Sequence, residues 1–300
     1  MLILNINGPI NAGKSTVSKK LVEMFDKACF IEVDELMSDE EQSALGLSVS
    51  QGWAERCRRL ENILQYYIKT RPFETVIFAY PLADNTYKKW SSFQSKNVRF
   101  LNVTIAPRLE VCLQNRGSRV LSAWEKKRIE QMYQEGYQNR PYADFVINNE
   151  NQTPEQTARL IKGFVESALS SGQQWLHLVE RRWPALVKGE KTSTFRLGEG
   201  FIHKGFLLYK DCPREQWGEV VYVTSVYYLP FAQAVEVDGF DAHTPDLPTA
   251  LKQMQAHYPD LTLQTPILLV RHLSVPETRK LYPNEVAQIL NSINAKSPEK

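Results

Sequence analysis

The first half of the chain alternates between short apolar stretches and longer segments with helical periodicity. Five apolar stretches have the length of strands: Leu2 to Ile6, Ala28 to Val33, Thr75 to Ala79, Val98 to Ile105 and Ala143 to Ile147. The segments between and after them predict helices. One begins near Lys14, one covers residues 51–69, one begins at Pro107, and two more cover residues 122–138 and 153–169. Strands separated by helices of this length predict βαβ units and a parallel sheet. Because the strands are continuously apolar, we expect both faces of that sheet to be covered.

The pattern changes in the second half, where short strands are separated by turn residues. The predicted strands there are Thr192 to Leu197, Gly205 to Tyr209, Glu219 to Tyr228 and Ile267 to Leu273, with one helix over residues 247–257. We therefore expect an α/β domain over residues 1–170 and a small polar linker over 171–174. A small β-barrel with one or two helices is expected over residues 175–275. The C-terminal region, residues 276–300, is expected to hold one short helix and a polar tail.

The composition of the 300 residues fits a folded protein that is large enough for two domains. A net charge of +2 neither requires nor excludes a nucleic-acid partner. The four cysteines form no C-x-x-C pair and no zinc-ligand spacing, which favours reduced, buried thiols. No stretch of the sequence reaches the roughly 20 apolar residues of a membrane span. These features predict a cytoplasmic protein without a membrane partner.

The most specific motif lies between the first predicted strand and the first predicted helix. Residues 8–15, Gly-Pro-Ile-Asn-Ala-Gly-Lys-Ser, match the phosphate-binding pattern G-x-x-x-x-G-K-[ST] in the strand–loop–helix context that this pattern requires. Glycines let the backbone curl until its N–H groups face the phosphates, and the helix N-terminus adds partial positive charge. The predicted nucleotide-binding residues are Gly8, Pro9, Ile10, Asn11, Ala12, Gly13, Lys14, Ser15 and Thr16.

Several residues are predicted to act on the phosphates. Lys14 is expected to reach the β- and γ-phosphates and Ser15 to ligate Mg²⁺, so ATP and Mg²⁺ are the expected cofactors. Asp34 follows the second predicted strand, where it can accept a proton from an acceptor hydroxyl or hold Mg²⁺ through water; a helix N-cap is the alternative. Arg116 and Arg119 flank a Gly-Ser hinge that suits a mobile lid closing on the transferred group, and a solvated helix end is the alternative.

Residues 1–170 resemble the small-molecule and nucleotide kinases of the P-loop superfamily, nearest to the chloramphenicol phosphotransferase-like, zeta-toxin-like and adenylylsulfate-kinase-like proteins. The matching features are the loop at residues 8–16, Val33-Asp34, the pair Arg116 and Arg119, and the segment 143–155. The resemblance implies a P-loop NTPase fold, with a parallel sheet and flanking helices, and phosphoryl transfer from ATP. One departure is that the third strand ends without the acidic residue usual in this family, and Asp84 is the nearest carboxylate.

A second polar group lies where the first strand of the predicted barrel begins. On a strand, Lys191, Ser193 and Phe195 would face one side, and Thr192, Thr194 and Arg196 would face the other. Lys, Thr and Arg side chains in this arrangement suit the binding of a phosphate, a carbonyl or a base edge. An ordinary exposed strand is the alternative.

Residues 174–275 resemble the ASCH family of PUA-like β-barrels, which is associated with RNA and modified nucleosides. The matching features are G-x-K-T-x-T-x-R at residues 189–196, Lys204-Gly205, the segment 237–241 and Tyr258-Pro259. The Lys-Thr-x-Thr form is similar to ASCH enzymes that remove the acetyl group of N4-acetylcytidine, whereas many ASCH proteins have Glu where this chain has Thr194. This similarity implies that Lys191 and Thr194 are catalytic, and that Thr192 and Arg196 help to bind the substrate. The resemblance also implies an acidic partner, with Glu236, Asp238 and Asp241 left as alternatives.

The two halves together predict an ATP-dependent phosphotransferase for a nucleoside or another small hydroxyl acceptor, fused to an ASCH domain that binds or deacylates a modified nucleoside. The alternative is an RNA-binding ASCH protein whose P-loop domain is a nucleotide-gated switch or an RNA-end kinase. A toxin-like kinase that acts on a nucleotide-sugar is a third hypothesis, which only fold analogy permits.

Overall fold

The computed structural model describes residues 1–115, 120–211, 218–240 and 244–294 of the chain. Its contacts divide the chain into two compact units, Met1–Val165 and Glu166–Lys300. Within the described ranges, no helix combines the length and the apolar composition that crossing a membrane requires.

The first unit is built on a five-stranded sheet in which every pair of neighbouring strands is parallel. Its strands are β1 (Leu2–Asn7), β2 (Ala28–Glu32), β3 (Thr75–Ala79), β4 (Arg99–Ile105) and β5 (Phe145–Ile147). They lie in the order β2-β3-β1-β4-β5. The connections that leave β1 and β3 run in opposite directions, so the carboxyl ends of these two strands border the crevice where such sheets bind ligands. The prediction of an α/β unit with a parallel sheet is confirmed.

In the described part of the first half of the chain, the α-helices that flank this sheet or follow it are α1 (Lys14–Val22), α2 (Asp39–Ala44), α3 (Val49–Thr70), α4 (Asp84–Ser91), α5 (Leu109–Cys112), α6 (Ala123–Gln134) and α7 (Pro154–Leu169). The long helix α3 begins at a capping box between Ser48 and Gln51, and it buries Leu60 and Leu64 against the sheet. The sequence pattern missed α2 and α4 because neither short helix has an apolar stripe of more than two residues. Helix α2 buries none of its residues, and α4 buries only Trp90.

The second unit contains a mainly antiparallel sheet. Its strands are β6 (Gln174–Leu178), β7 (Ser193–Arg196), β8 (Gly205–Asp211), β9 (Gly218–Pro230) and β10 (Pro266–His272). They pair in the order β6-β8-β9-β10-β7, and among these described strands only β6 and β8 are parallel. Arg196 on one outer strand donates a hydrogen bond to the carbonyl oxygen of His177 on the other, at 2.7 Å. The sheet therefore curls until its two outer strands approach each other, while a closed ASCH barrel stays a prediction.

The helices of the second unit correct the sequence-based expectation. They are α8 (Trp183–Lys188), α9 (Phe231–Asp238), α10 (Leu247–Gln255), α11 (Val275–Leu281) and α12 (Pro283–Asn294). The expectation of one or two helices in the barrel region was wrong, and so was a single short helix after residue 275. A capping box between Ser274 and Glu277 begins α11, and Pro283 can start α12 because it needs no N–H partner there. Gln174, expected in the linker, lies in β6.

Candidate functional site

The first residue of the glycine loop, which directly follows β1, must be glycine for steric reasons. Gly8 has a φ of +138°, and a Cβ atom added there would overlap the carbonyl oxygen of Ile105 at the end of β4. The backbone therefore passes close to β4 before it turns into the loop. The next residue, Pro9, is buried, and Ile10 is partly buried.

The loop ends at the N-terminus of α1. Gly13 is the N-cap with a φ of 95°, and it provides no side-chain hydrogen bond to the helix. The first N–H groups of an α-helix have no partner within the helix, so an uncapped N-terminus is suited to bind an anion. Lys14 folds back over the loop, where its Nζ donates to the carbonyl oxygen of Pro9 at 2.7 Å. Thr16 is exposed at the same end of the helix.

Two asparagines fix the shape of the loop from either side. Asn11, with a φ of 65°, donates from Nδ2 to the carbonyl oxygens of Cys112 at 2.9 Å and Gln114 at 2.8 Å. Asn149 lies after β5 and donates to the carbonyl oxygen of Ala12 at 3.1 Å. Asn149 was not predicted to take part. Asn149 and Ala12 lie far apart in the sequence, so no pattern of neighbouring residues could have revealed this contact.

A carboxylate at the end of β2 was also missed. The Glu32 side chain lies near the Ser15 hydroxyl. Burial raises the pKa of the Glu32 carboxyl group above its ordinary value, and the nearby Ser15 hydroxyl partly opposes that shift. Hydroxyl and carboxylate oxygens are the ligands that Mg²⁺ prefers, so these two side chains fit a magnesium site beside the loop. Within the described residues, no group of three or more His, Cys, Asp or Glu side chains is arranged to hold a metal ion by itself.

Asp34 lies in a 3-10 turn, Val33–Leu36, directly after β2. The residue is exposed, and its backbone oxygen accepts a hydrogen bond from Nε of Arg56 at 3.4 Å. Its charge contributes to the raised pKa values of Glu32 and Tyr80, which places the carboxylate near the ends of β2 and β3. The helix that follows is capped by Ser38 instead, so the N-cap alternative does not apply to α2.

The predicted arginine lid cannot be placed, because Arg116 and Arg119 lie outside the described residues. A different arginine lies near the end of β3. Arg140 pairs with Asp84 at 3.2 Å, and its guanidinium carbon is 4.3 Å from the centre of the Tyr137 ring. Asp84, the carboxylate nearest to the end of the third strand in the sequence, is thus held by an arginine.

Lys191 is the centre of a second polar group, in the second unit. Its Nζ donates to the carbonyl oxygen of Ser193, and the Ser193 hydroxyl donates to Asp238 Oδ2 at 2.6 Å. Burial, together with the nearby charges of Arg182 and Arg196, lowers the pKa of Lys191 to about 8, while the charge of Asp238 opposes the shift. At neutral pH this lysine is mostly charged, but its uncharged amine is far more accessible than that of an ordinary lysine.

Of the three acidic residues left open by the sequence, Asp238 lies in this polar group. It accepts from Ser193, lies 3.7 Å from Nε of Arg271, and acts on the pKa of Lys191. Glu236 is exposed on α9. Asp241 lies outside the described residues.

The other predicted residues of this segment lie on β7 or directly before it. Thr194 is buried, at 6% exposure, and its side chain partly opposes the rise that burial causes in the pKa of Tyr209. Arg196 faces the same way and contacts His177 and Glu199. Thr192 precedes the strand and is exposed, and its backbone oxygen accepts from the N–H of His272 at 2.9 Å.

Comparison with known proteins finds similar solved structures but no matching family model or curated sequence. No protein-family model matches the chain, and no curated protein sequence matches it. Shikimate kinase from Aquifex aeolicus is 24% identical, covers 57% of this chain and 100% of its own, and has a TM-score of 0.38. The tunicamycin resistance protein of Deinococcus radiodurans is 19% identical, with 54% and 94% covered and a TM-score of 0.39. Thymidylate kinase from Candida albicans is 13% identical, with 56% and 91% covered and a TM-score of 0.39.

Proposed function

We propose that the first unit is an ATP-dependent phosphotransferase acting on a nucleoside or another small hydroxyl acceptor. The observation that carries the proposal is the loop at residues 8–15, which ends at an uncapped helix N-terminus with Lys14 folded over it. A triphosphate placed there meets backbone N–H groups, the positive end of a helix and an ammonium group together. Glycine is required at Gly8 by the close approach of Ile105, so the loop is a shaped element and not a generic turn.

In the proposed reaction, the acceptor hydroxyl oxygen attacks the γ-phosphorus of ATP, the bond to the β–γ bridging oxygen breaks, and ADP leaves. Asp34 takes the acceptor proton, a role that its exposure beside the ends of β2 and β3 supports. Ser15 and Glu32 would hold Mg²⁺, which neutralises phosphate charge when it is bound. We assign the stabilisation of the transferred group to Lys14, Arg116 and Arg119.

We further propose that the second unit binds or deacylates a modified nucleoside. The specific observation is that a lysine with a lowered pKa, a buried threonine and an aspartate occupy the same region of the sheet. In the hydrolysis of N4-acetylcytidine, the amide C–N bond breaks, water supplies a hydroxyl to the acetyl group, and a proton goes to the cytosine amine. Lys191 serves as the base, Thr194 as the nucleophile or the residue that orients water, and Asp238 as the acidic partner. Thr192 and Arg196 bind the substrate.

The test of the first proposal compares two lysines of the same helix. Lys14→Ala is expected to lower ATP turnover about 100-fold or more, since the lysine contacts charge that develops on the phosphates. Lys20→Ala removes a surface lysine that pairs with Glu23 and Glu155, and it should leave turnover unchanged. Equal turnover in Lys14→Ala and in the unchanged chain would overturn the kinase assignment.

The test of the second proposal is a screen of nucleosides, including N4-acetylcytidine, for ATP consumption and for release of acetate by the full chain. Consumption of ATP with one nucleoside identifies the acceptor class, and release of acetate supports deacylation. If neither occurs and the chain binds RNA with a strong salt dependence, the RNA-binding alternative replaces this proposal.

A further inference from the structure

An exposed tryptophan lies beside the carboxyl end of β3 in the first unit. Trp53, in the second turn of α3, leaves 37% of its surface exposed. Its ring centre is 6.2 Å from that of Tyr80, the residue directly after β3, and the two rings are inclined by 52°. The Tyr80 ring in turn contacts the buried ring of Trp90, with 5.8 Å between the ring centres. Trp53 is therefore the outer end of a row of three aromatic rings that reaches the core.

Tyr80, the middle ring of this row, is held at both its backbone and its side chain. Its N–H donates to the carbonyl oxygen of Ile6 at 3.2 Å, and its own carbonyl oxygen accepts from Nδ2 of Asn5, also at 3.2 Å. Its hydroxyl oxygen accepts from Sγ of Cys57 on α3 at 3.1 Å. Because these contacts join Tyr80 to β1 and to α3, the surface that supports Trp53 is fixed before any ligand binds, which lowers the entropic cost of binding.

A buried arginine joins Trp53 to the turn that carries Asp34. Arg56, one turn further along α3, has its guanidinium carbon 5.2 Å from the centre of the Trp53 ring. Its Nε donates to the Asp34 carbonyl oxygen at 3.4 Å. The arginine side chain is only 7% exposed, and Gln42 and Asp39 accept two further hydrogen bonds from it at 2.8 Å and 3.3 Å. One fixed arginine side chain thus separates the exposed indole from the residue proposed to accept the proton.

We infer that Trp53 is a specificity residue of the acceptor site, and that the acceptor carries a planar ring that stacks on the exposed indole while its hydroxyl group reaches Asp34. This inference rests on the proposed function of the first unit and narrows its acceptor to nucleosides. Every nucleobase has a π-face, so an aromatic side chain binds nucleosides with little preference among the bases. Arg56 and Tyr80 are positioning residues that hold the indole beside Asp34.

Binding can be followed at Trp53 itself, without any reaction. The chain has six tryptophans, and proton–nitrogen NMR of the full chain with labelled tryptophan reports their indole N–H groups, of which Trp53→Phe assigns one. Adenosine, guanosine, cytidine or uridine, added with magnesium and a saturating non-hydrolysable ATP analogue, should shift the Trp53 signal, and ribose should not. No shift with any nucleoside, or an equal shift with ribose, would overturn the inference.

Kinetics test the role of the indole in phosphoryl transfer. Trp53→Ala removes stacking that the bound substrate and the transition state share, so KM for the nucleoside should rise about tenfold or more, with kcat and KM for ATP little changed. Trp53→Phe keeps an aromatic face and should retain most of the affinity. Tyr66→Ala removes a 60% exposed aromatic side chain from the same helix and serves as the matched control. An unchanged nucleoside KM in Trp53→Ala would contradict the role of the indole.

The proposed function and this inference fail in different ways. If nucleosides shift the Trp53 signal but no nucleoside receives phosphate, the phosphotransferase assignment fails and the binding of a planar ring stands alone. If ribose receives phosphate as efficiently as the nucleosides do, the phosphotransferase assignment stands and the inference about Trp53 is overturned.

Discussion

The two candidate sites of this chain are built in opposite ways. The site of the first unit is made largely from consecutive residues, and its main contribution is backbone: the curve of residues 8–13 and the N-terminus of α1. The site of the second unit is made from side chains that arrive from β7, β8, α9 and β10. Backbone sites depend on a local conformation, whereas side-chain sites depend on the packing of distant segments.

This difference decides how each site responds to substitution. The loop depends on glycine at a position where a side chain would collide with neighbouring backbone. The second site depends on the protonation states of buried groups, since burial shifts the pKa values of both Lys191 and His272 downward. Steric changes should therefore harm the first site most, and changes of pH or charge should harm the second.

The largest expected effect tests whether the two sites work independently. Lys191→Ala should lower deacylation about 100-fold to 10,000-fold, the usual contribution of a general base, and leave ATP turnover unchanged. Lys188→Ala, which removes an exposed lysine of α8, is the matched control. Both activities are measured on the same preparation. A loss of ATP turnover in Lys191→Ala would show that the two sites are not separate.

A smaller effect is expected from steric change in the loop. Gly8→Ala should lower the free energy of unfolding by at least about 3 kcal/mol, because the new Cβ meets the Ile105 carbonyl oxygen and the backbone conformation is strained. Gly46 also has a positive φ but nothing within 4 Å of an added Cβ, so Gly46→Ala should cost only about 1 kcal/mol. Urea unfolding measures both. Equal costs would show that the approach of β4 does not constrain the loop.

The pH dependence of stability tests the buried histidine. The pKa of His272 falls from 6.5 to about 4 on folding, so its contribution is fully present above pH 6.5. As the pH falls toward 4, the unfolded chain binds a proton that the folded chain does not, and up to about 3 kcal/mol of stability is lost. His272→Gln should make the decline between pH 6.5 and 4 shallower by that amount. An identical slope in both proteins would contradict the buried, neutral state of His272.

The smallest expected effect concerns the aspartate of the second site. Asp238→Asn should cost about 1 kcal/mol of stability, since the hydrogen bond from Ser193 loses its charged acceptor. It should also lower the pKa of Lys191 below about 8, because the opposing negative charge is removed. The rise of deacylation rate with pH should then move to lower pH. A shift to higher pH would contradict the assignment of Asp238 as the acidic partner.

Much of the first unit could be predicted because its strands are continuously apolar and its loop is contiguous. The pattern gave Thr75–Ala79 with the bounds that the structure shows, and placed α1 from Lys14. Glu32 was missed because its contact with Ser15 joins two separate βα connections. Helix α2 was missed because it buries none of its residues, and α4 because its two core-facing aromatics, Tyr87 and Trp90, are too few to show a helical stripe.

The second unit was less predictable because its important contacts are between distant segments. Thr194 and Lys191 lie in one short segment and were selected, but Tyr209 and His272 lie in apolar strands, where sequence alone indicates ordinary core residues. Strand β6 was missed because only Leu176 and Leu178 show the alternation of a half-buried strand. The choice among the three acidic residues needed the fold, since only packing brings Asp238 to Ser193.

The central claim is that backbone N–H groups at the start of α1 bind the triphosphate of a nucleotide. The most direct measurement is a crystal structure of the full chain with magnesium and a non-hydrolysable ATP analogue. We predict that the β- and γ-phosphates contact the N–H groups of Gly13, Lys14 and Ser15, with the Lys14 side chain moved from the Pro9 carbonyl oxygen to the phosphates. A triphosphate bound elsewhere, with the contact between Lys14 and Pro9 intact, would contradict the account.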